Sequence, residues 1–488
     1  MLTYLLLHPS TITWFLHVVI VTVVGFRVIM NRPPTGVALA WLVLIVAAPF
    51  GGALVYLLIG ERRIGSRGQR MQALRVDYRK VSGAAIRAGL LEIDWSRHVP
   101  AAHAMNQLGK NLGGLPTVRG STFQLFSDTQ EILSAIVRDV DAAKTSVLME
   151  FYIWNEGGGA DEVFEAVIRA ARRGVSCRLL IDALGARPWW KSHQPKRLRK
   201  AGVHLRPALP VGLLRLFVGR TDLRLHRKIV VIDGSAAWTG SMNLVDPRFF
   251  KQDSGVGEWV DAMIRLQGSV VVALAATMTS DWILESGEEL DVVMSSADLH
   301  LVVPQGTADM QVIPSGPGQT KDGLLQMILT LINAAQEELV LTTPYLVPDD
   351  SLLRALRGAA GRGVKVRMIV PEKVDSILTR YASRSYYDDL LEIGVEIHQF
   401  HAGLLHTKSI TVDGVLAMFG TVNLDMRSFW LNYEVSLFVY DREFCTQLRN
   451  LQQSYIEEST QLTPESWECR SFGNRFLENT LRLFSPLL

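Results

Sequence analysis

The sequence predicts an α/β protein with two similar domains, each a mixed sheet flanked by helices, preceded by a two-helix transmembrane hairpin. Three observations predict this architecture. A polar motif occurs twice with a constant offset of 180 residues, as between His226 and His406. Each half of the chain shows a strand–helix–strand order. Residues 1–26 and 33–60 contain no Asp, Glu, Lys or Arg.

The repeated motif occupies residues 226–234 and 406–414. Each copy begins with His, has Lys two residues later and ends with Asp-Gly. Residues i and i+2 of an extended strand face the same side, so each copy presents an imidazole beside an ammonium group. Asp-Gly before a second apolar run predicts a tight hairpin turn, and a structural role in that turn is an alternative for the aspartates. The candidate catalytic residues are His226, Lys228, Asp233, His406, Lys408 and Asp413.

The two copies also share a tail, in which a hydroxyl and a carboxamide follow a glycine. The first tail is Gly240-Ser241-Met242-Asn243 and the second is Gly420-Thr421-Val422-Asn423. A single motif of this kind is weak evidence, but two copies in register with the same tail are a specific signal.

Each half is predicted to form a sheet covered by helices. Strands at 146–153 and 175–181 flank a helix at 161–173, and strands at 339–343 and 364–370 flank a helix at 349–362. The predicted domains are a transmembrane hairpin at 1–62, a basic juxtamembrane segment and linker at 63–117, a first domain at 118–295 with its motif region at 220–247, and a second domain at 296–488 with its motif region at 400–427.

The hairpin is predicted to have helices at 11–30 and 35–60, because each apolar run exceeds the ~20 residues that cross a bilayer. A cleaved signal peptide is the alternative, but no basic residue precedes the first run. Lys and Arg are more numerous in 62–80 than in the loop between the helices, so both termini are expected in the cytoplasm. The basic segment either contacts anionic lipid headgroups or only sets this topology.

Composition argues against some classes of protein. A formal net charge of +2 does not indicate a polyanion-binding protein, so no nucleic acid partner is expected. Cys177, Cys445 and Cys469 are far apart in sequence, which indicates neither a disulfide framework nor a zinc site and fits a reducing compartment.

Two apolar segments leave alternatives open. Residues 213–224 alternate bulky apolar residues with arginines, which suits either a membrane-facing surface or an ordinary strand edge. Near the carboxyl end, apolar residues recur at close to the helical period, and packing in the core is favoured over membrane contact. These residues are Phe472, Phe476, Leu477, Leu481 and Phe484.

The repeated residue types suit phosphodiester chemistry. Attack on phosphorus needs a nucleophile and fixed positive charge around the oxygens of the transition state. A neutral imidazole can form a phospho-histidine, and a second, protonated imidazole can protonate the leaving alkoxide. Since the ammonium groups neutralise the phosphate, no metal ion or other cofactor is expected.

The two motifs resemble those of the phospholipase D superfamily, whose members form one active site from two such copies. The resemblance implies that His226 is the nucleophile and His406 the general acid and base, although symmetry leaves the reverse assignment open. It also implies that the two lysines bind the non-bridging phosphate oxygens. Asn243 and Asn423 would assist them, with support from Ser241 and Thr421.

The resemblance further implies that a carboxylate holds the nucleophilic histidine in one tautomer. The family pattern points to Glu434. The first half departs from this pattern, and Asp261 is the candidate there. A surface or strand-pairing role is the alternative for both residues.

Further segments resemble bacterial cardiolipin synthases of the phospholipase D type, namely residues 32–61, 243–250, 342–345, 403–408 and 423–428. The resemblance implies an inner-membrane phosphatidyltransferase that joins two phosphatidylglycerol molecules into cardiolipin and releases glycerol. A phospholipase D-type lipid hydrolase, another phosphatidyltransferase and a nuclease of the same superfamily are alternatives. A non-enzymatic membrane scaffold is another, but it would be expected to have lost at least one of the four His and Lys residues.

Overall fold

The structure, a computed structural model of the chain, describes residues 9–33, 35–60, 92–113, 115–210, 222–320 and 322–485. The chain divides into two compact units; residues 9–60 belong to the first, and residues 92–210 and 223–485 belong to the second. The predicted basic segment at 62–80 lies outside the described residues, as does all but the end of the predicted insertion at 213–224.

The first unit begins with one long apolar helix, α1 (Pro9–Met30), which confirms that the first predicted segment, residues 11–30, is helical. Its segment Ser10–Met30 is long and apolar enough to cross a bilayer. The prediction of one continuous helix over residues 35–60 is wrong. That stretch forms α2 (Thr35–Ala47), α3 (Pro49–Val55) and a π-helical turn (Tyr56–Gly60).

Proline explains the break between α2 and α3. Pro49 has no N–H to continue the helix, and its ring disfavours the helical conformation at the preceding residue. Ala48 accordingly has φ −139° and ψ 72°. The chain then reverses so closely that a Cβ atom on Gly52 would lie 2.7 Å from the carbonyl oxygen of Leu44 in α2.

Side-chain contacts hold the π-helical turn after α3 against α2 and against the turn between α1 and α2. The rings of Trp41 and Tyr56 meet edge to face with centroids 5.3 Å apart. The Asn31 Nδ2 donates a hydrogen bond to the Tyr56 hydroxyl at 2.9 Å. Because Asn31 lies in the turn between α1 and α2, α3 returns the chain to the level of that turn.

The second unit is built on strands from both halves of the chain. The first-half strands are β1 (Val118–Phe126), β2 (Ser146–Phe151), β3 (Ser176–Asp182), β4 (His204–Ala208), β5 (Arg224–Leu225), β6 (Ile229–Ile232), β7 (Ala236–Gly240), β8 (Trp259–Val260) and β9 (Met263–Gly268). The second-half strands are β10 (Ala308–Ser315), β11 (Glu338–Thr342), β12 (Leu346–Val347), β13 (Lys365–Pro371), β14 (Glu396–Phe400), β15 (Leu404–Leu405), β16 (Ser409–Val412), β17 (Leu416–Gly420), β18 (Leu424–Asp425), β19 (Asn432–Val439) and β20 (Ser459–Leu462).

One sheet of 16 strands joins the two halves in the described part of the chain. Its order is β20-β14-β13-β11-β16-β17-β19-β10-β1-β9-β7-β6-β2-β3-β4, with β5 attached to β19. β1 and β10 pair antiparallel at the centre, and matching strands follow outward on each side. The outer strands β2, β3 and β4 are parallel, as are β11, β13 and β14. This duplicated mixed sheet confirms the predicted fold class of the two domains.

Helices cover both faces of the sheet. The first-half helices are α4 (Pro100–Asn111), α5 (Thr129–Ala142), α6 (Gly159–Arg172), α7 (Arg187–Trp190), α8 (Gln194–Lys200), α9 (Val271–Ser286) and α10 (Leu290–Ser296). The second-half helices are α11 (Gly323–Ala334), α12 (Asp350–Gly361), α13 (Ile377–Ser385), α14 (Tyr387–Glu392), α15 (Met426–Trp430), α16 (Arg442–Glu457), α17 (Pro464–Glu468) and α18 (Phe472–Arg482). α6 and α12 match the predicted helices at 161–173 and 349–362.

Successive side chains of a strand point to opposite faces of the sheet, so each strand contributes to a hydrophobic core on both faces. In β2, Val147 and Met149 pack with α5 and α6, whereas Leu148 packs on the opposite face with α9. Both faces of the strand are therefore buried, which explains its continuous apolar sequence.

Two short strands exchange between the halves and position the site. β5 immediately precedes the first motif and pairs with the start of β19 from the second half. β15 immediately precedes the second motif and pairs with β8 from the first half. Each motif therefore begins beside a strand of the opposite half.

The carboxyl-terminal helix α18 contradicts the predicted core packing of its apolar residues. Phe472 is 84% exposed and Phe476 is 65% exposed, whereas Glu478 on the other face is 1% exposed. Glu478 faces inward because it pairs with Arg384 at 2.7 Å and with Arg470 at 3.4 Å. The apolar side chains therefore point outward.

Candidate active site

The exchanged strands fix where each motif histidine lies. The His226 backbone N–H donates to the Tyr433 carbonyl at 2.9 Å, and the His406 backbone N–H donates to the Val260 carbonyl at 2.8 Å. Tyr433 directly precedes Glu434, and Val260 directly precedes Asp261. The backbone pairing thus sets each histidine in register with one carboxylate of the opposite half.

Each imidazole contacts that carboxylate directly. His226 Nδ1 lies 2.8 Å from Glu434 Oε2, and His406 Nδ1 lies 2.7 Å from Asp261 Oδ1. Because a carboxylate accepts, this network assigns the proton of each neutral imidazole to Nδ1 and leaves Nε2 as the reactive nitrogen. Both carboxylates were candidates from the sequence, but the exchange of partners between halves was not foreseen.

Two hydroxyl groups support these carboxylates. Ser241 Oγ donates to Asp261 Oδ1 at 2.5 Å, and Thr421 Oγ1 donates to Glu434 Oε2 at 2.6 Å. Both hydroxyl hydrogens are used in this way. The contacts therefore suit a support role for Ser241 and Thr421, not direct phosphate binding.

The two motif lysines are fully buried. Lys228 Nζ donates to the His226 carbonyl at 2.6 Å, and Lys408 Nζ donates to the His406 carbonyl at 2.5 Å. Burial lowers the pKa of Lys228 to about 8 and lowers the pKa of Lys408 well below its usual value, while Glu434 and Asp261 oppose both shifts. Since each carboxylate acts on both lysines, the two motifs share one electrostatic site.

Burial also keeps the histidines neutral. It lowers the pKa of His226 and of His406 to about 4, helped by the lysines and opposed by the paired carboxylates. The carboxylates themselves stay ionised: burial alone would raise their pKa, but the paired histidine and the lysines hold the pKa of Glu434 and Asp261 below the ordinary range. The site thus combines two neutral imidazoles with two ionised carboxylates and two buried lysines.

The two carboxamides are also buried at the site, with different contacts. Asn243 Oδ1 accepts the backbone N–H of Ile153 at 3.1 Å. The Asn423 Oδ1 atom is buried and has no hydrogen-bond partner among the described residues. A buried amide of this kind is suited to a polar substrate group.

The motif aspartates lie at the turns, away from the histidines. Asp233 accepts the backbone N–H groups of Lys144, Thr145 and Ser146 at 2.8 to 3.1 Å. Asp413 accepts those of 336–338 at 2.8 to 2.9 Å. These contacts fit the structural alternative and give no basis for the catalytic assignment of either aspartate.

The turns themselves require unusual backbone. Asp233 and Asp413 have φ of 49° and 51°, and the glycines that follow have φ of 57° and 64°. Two successive positive φ values are typical of the type I′ hairpin turn that Asp-Gly predicts.

Sequence reasoning missed several residues around the histidines. The Trp259 ring centroid lies 4.3 Å from that of His406, and the Tyr152 ring lies 5.1 Å from that of His226. Arg227, inside the first motif, donates from Nε to the Glu434 carbonyl at 2.9 Å and pairs with the buried Asp281. Only Arg227 had a local signal, since it lies between the His and the Lys of the first motif.

A polar cluster lies at the edge of the same site. Asp375 accepts from the Tyr345 hydroxyl at 2.7 Å and from Lys251 Nζ at 2.9 Å. The Lys251 ammonium also lies 5.4 Å from the centre of the Trp259 ring. Since Trp259 contacts His406, this cluster connects loops of both halves beside the second histidine.

The duplicated sheet and the paired His-Lys motifs define a two-domain protein of the phospholipase D superfamily. A family model described as "Cardiolipin synthase, PLD-like domain" matches residues 136–256 and 328–455, and a "Phospholipase_D-nuclease N-terminal" model matches residues 18–61. Cardiolipin synthase A of Proteus mirabilis is 42% identical over 98% of both chains. That of Erwinia tasmaniensis is 42% identical over 98% of this chain and 99% of its own. The chain belongs to the cardiolipin synthase family.

A solved structure shares the fold. Phosphatidylserine synthase from Haemophilus influenzae Rd KW20 superimposes with a TM-score of 0.60 and 15% sequence identity, over 79% of this chain and 98% of that one. At this identity the likeness concerns the fold alone.

Proposed function

We propose that this enzyme transfers a phosphatidyl group from one phosphatidylglycerol molecule to another, reversibly, to give cardiolipin and glycerol. The observation that carries the proposal is the pair of neutral imidazoles, each held at Nδ1 by a carboxylate of the opposite half. We also propose that the two catalytic domains meet near residue 295, where the sequence divides them.

In the first step, His226 Nε2 attacks the phosphorus atom of one phosphatidylglycerol. A phosphorus–nitrogen bond forms and the phosphorus–oxygen bond to the glycerol headgroup breaks. His406, as imidazolium, gives its proton to the leaving alkoxide, so free glycerol departs. The negative phosphodiester raises the pKa of a nearby imidazole, which allows His406 to hold that proton when substrate is bound.

In the second step, a hydroxyl of another phosphatidylglycerol gives its proton to His406 and attacks the phosphorus atom. The phosphorus–nitrogen bond breaks, and cardiolipin and free His226 result. Lys228 and Lys408 stabilise the non-bridging oxygens in both transition states, where charge-assisted hydrogen bonds are strongest. The buried carboxamide of Asn423 is a third group for these oxygens, to which its Nδ2 would donate.

The carboxylates act through the histidines. Glu434 orients His226 and stabilises the positive charge that its ring acquires as the phosphorus–nitrogen bond forms. Asp261 does the same for His406 when it is protonated. Ser241 and Thr421 hold the two carboxylates in place.

We propose that the catalytic domains lie on the cytoplasmic side of the bacterial inner membrane and that the protein crosses this membrane once, through α1. The folded-back α2 and α3 then return to the side from which they entered. This topology places Arg27 and Arg32 on the same side as the basic segment at 62–80, as the positive-inside rule favours. The predicted multi-pass hairpin would instead leave these two arginines outside.

Lipid analysis tests the proposed reaction. Purified protein is incubated with phosphatidylglycerol vesicles, and lipids and water-soluble products are measured by mass spectrometry. Cardiolipin and glycerol in equal amounts are expected, and neither should form with His226→Ala or His406→Ala. Phosphatidic acid as the main product would instead identify a hydrolase, and unchanged lipid would identify a scaffold.

A further inference from the structure

The outward face of α18 and the start of α13 form one exposed apolar surface in the second domain. The two helices pack against each other. We call the following five residues the outer ridge: Ile377, Leu378, Phe472, Phe476 and Leu483. Their side chains are 73%, 50%, 84%, 65% and 79% exposed, respectively.

Three members of the ridge share one face of α18, whose C-cap residue is Leu483. Phe472, Phe476 and Leu483 are spaced i, i+4 and i+11, which places them on one face of a helix. The rings of Phe472 and Phe476 stack with centroids 6.4 Å apart. Ile377 and Leu378 extend the same surface at the first turn of α13.

The helix is oriented opposite to an ordinary surface helix, which turns its apolar face toward the core. The inward face of α18 is polar: Glu478 is buried against Arg384 and Arg470, and Arg482 pairs with Asp389 at 2.6 Å. Turning the apolar side chains inward would expel a buried, doubly paired carboxylate from its cations. Separating a buried charge from its partners in this way is strongly unfavourable. The outward apolar face is therefore a fixed property of the fold.

The ridge adjoins the active site. Ile377 lies two residues after Asp375, the carboxylate that binds Lys251 and Tyr345 beside Trp259 and His406. An apolar surface that begins next to the site can contact the acyl region from which a lipid substrate enters.

Positive charge beside the ridge favours its binding to an anionic lipid surface. Arg380 on α13 and Arg475 on α18 are exposed, and neither forms an ion pair with another described residue. An apolar face with flanking arginines is typical of segments that lie in the interface of a bilayer containing anionic lipids.

We propose that the outer ridge docks the second domain onto the surface of an anionic lipid bilayer, beside the entrance for the lipid substrate. The proposal rests on the proposed function, since it assigns the source of the substrate. Docking would spare a lipid from leaving the bilayer fully before its headgroup reaches the histidines.

Fluorescence in vesicles tests the docking directly. The full-length protein carries Cys469→Ser, because Cys469 is exposed while Cys177 and Cys445 are buried. An environment-sensitive dye is attached through Phe476→Cys, or through Asn450→Cys on the exposed face of α16 as a control. In phosphatidylglycerol vesicles, lipids brominated on their acyl chains should quench the dye at position 476 at least threefold more than at position 450. Equal quenching at the two positions would overturn the proposal.

Kinetics supply a second, independent test. The triple variant Phe472→Ser, Phe476→Ser, Leu483→Ser should lower turnover of long-chain phosphatidylglycerol in vesicles by at least fivefold. It should leave turnover of a short-chain, monomeric phosphatidylglycerol unchanged, because that substrate is not drawn from a bilayer. The matched control is Val292→Ser with Val303→Ser, two exposed apolar residues outside the ridge.

The outcomes separate the two proposals. If wild-type protein forms no cardiolipin from either lipid, the proposed function fails. If it does, and the triple variant handles both lipids like wild type, the docking proposal fails. A ridge that instead joins two copies of the chain would show weak quenching by brominated lipid and a smaller particle for the triple variant in detergent. That result would also overturn membrane docking.

Discussion

His226 and Glu434 come from opposite halves of the chain and lie 2.8 Å apart through Nδ1 and Oε2. The second histidine repeats the arrangement with Asp261. Neither half therefore contains a complete histidine–carboxylate pair. Both pairs form because β5 and β15 each pair with a strand of the opposite half. The two halves must therefore be joined for either histidine to contact its carboxylate.

The first prediction concerns this pairing. Glu434→Gln should reduce kcat by roughly 10³-fold while the protein stays folded, because an amide that donates to Nδ1 would leave the proton on Nε2 and remove the nucleophile. Cardiolipin formation by the purified variant provides the measurement. Glu392→Gln, at an exposed residue in α14, is the matched control and should retain full activity. Comparable activity of the two variants would contradict a positioning role for Glu434.

The second prediction separates the motif aspartates from the chemistry. Asp233→Ala removes an acceptor for three backbone N–H groups, so the free energy of unfolding should fall by about 1 to 3 kcal/mol. The kcat of the folded fraction should stay within about twofold of wild type. Denaturant unfolding and activity are measured on the same preparation. A large loss of kcat with unchanged stability would restore the catalytic assignment.

The His-Lys part of the site and its turns could be predicted because they depend on short motifs that occur twice in the sequence. The His-x-Lys spacing sets two side chains on one face of a strand whatever surrounds it, and Asp-Gly specifies its turn with little help from tertiary contacts. The pairing of Glu434 with His226 joins positions 208 residues apart. No local pattern encodes that distance, since it follows from the sheet order.

The failed expectations have physical causes of the same kind. The stripe of Phe472 and Phe476 has the period of a core helix, but the single buried Glu478 decides which face turns inward. Hydropathy alone treated residues 35–60 as one span, although Pro49 interrupts the backbone hydrogen bonds and the chain folds back there. In both cases a single residue determined the structure against the prediction from the apolar pattern of the whole segment.

The third prediction uses the buried histidines as a pH probe. Their pKa is about 4 in the folded protein and near 6.5 when unfolded, so the unfolded chain binds more protons between these values. Stability should therefore be constant above about pH 6.5 and fall as the pH drops toward 4. From pH 7 to pH 5 the loss should be about 2 kcal/mol for each histidine.

The comparison for that test is His226→Asn with His406→Asn, which removes both titrating groups. Chemical unfolding of the detergent-solubilised proteins, followed by tryptophan fluorescence, should show a loss between pH 7 and pH 5 that is about 4 kcal/mol smaller in the double variant. Parallel pH dependence of the two proteins would show that these histidines are not held neutral by burial.

The last prediction concerns the folded-back helices of the first unit. If only α1 crosses the bilayer, its amino-terminal end and the α1–α2 turn lie on opposite sides, and the turn lies on the side of the basic segment at 62–80. In a Cys469→Ser background, a cysteine at Ser10 should react with an impermeant maleimide added to spheroplasts. A cysteine at Arg32 should react only after the membrane is opened. Labelling of Arg32→Cys in intact spheroplasts would instead require the second segment to cross, against the hydrogen bond between Asn31 and Tyr56.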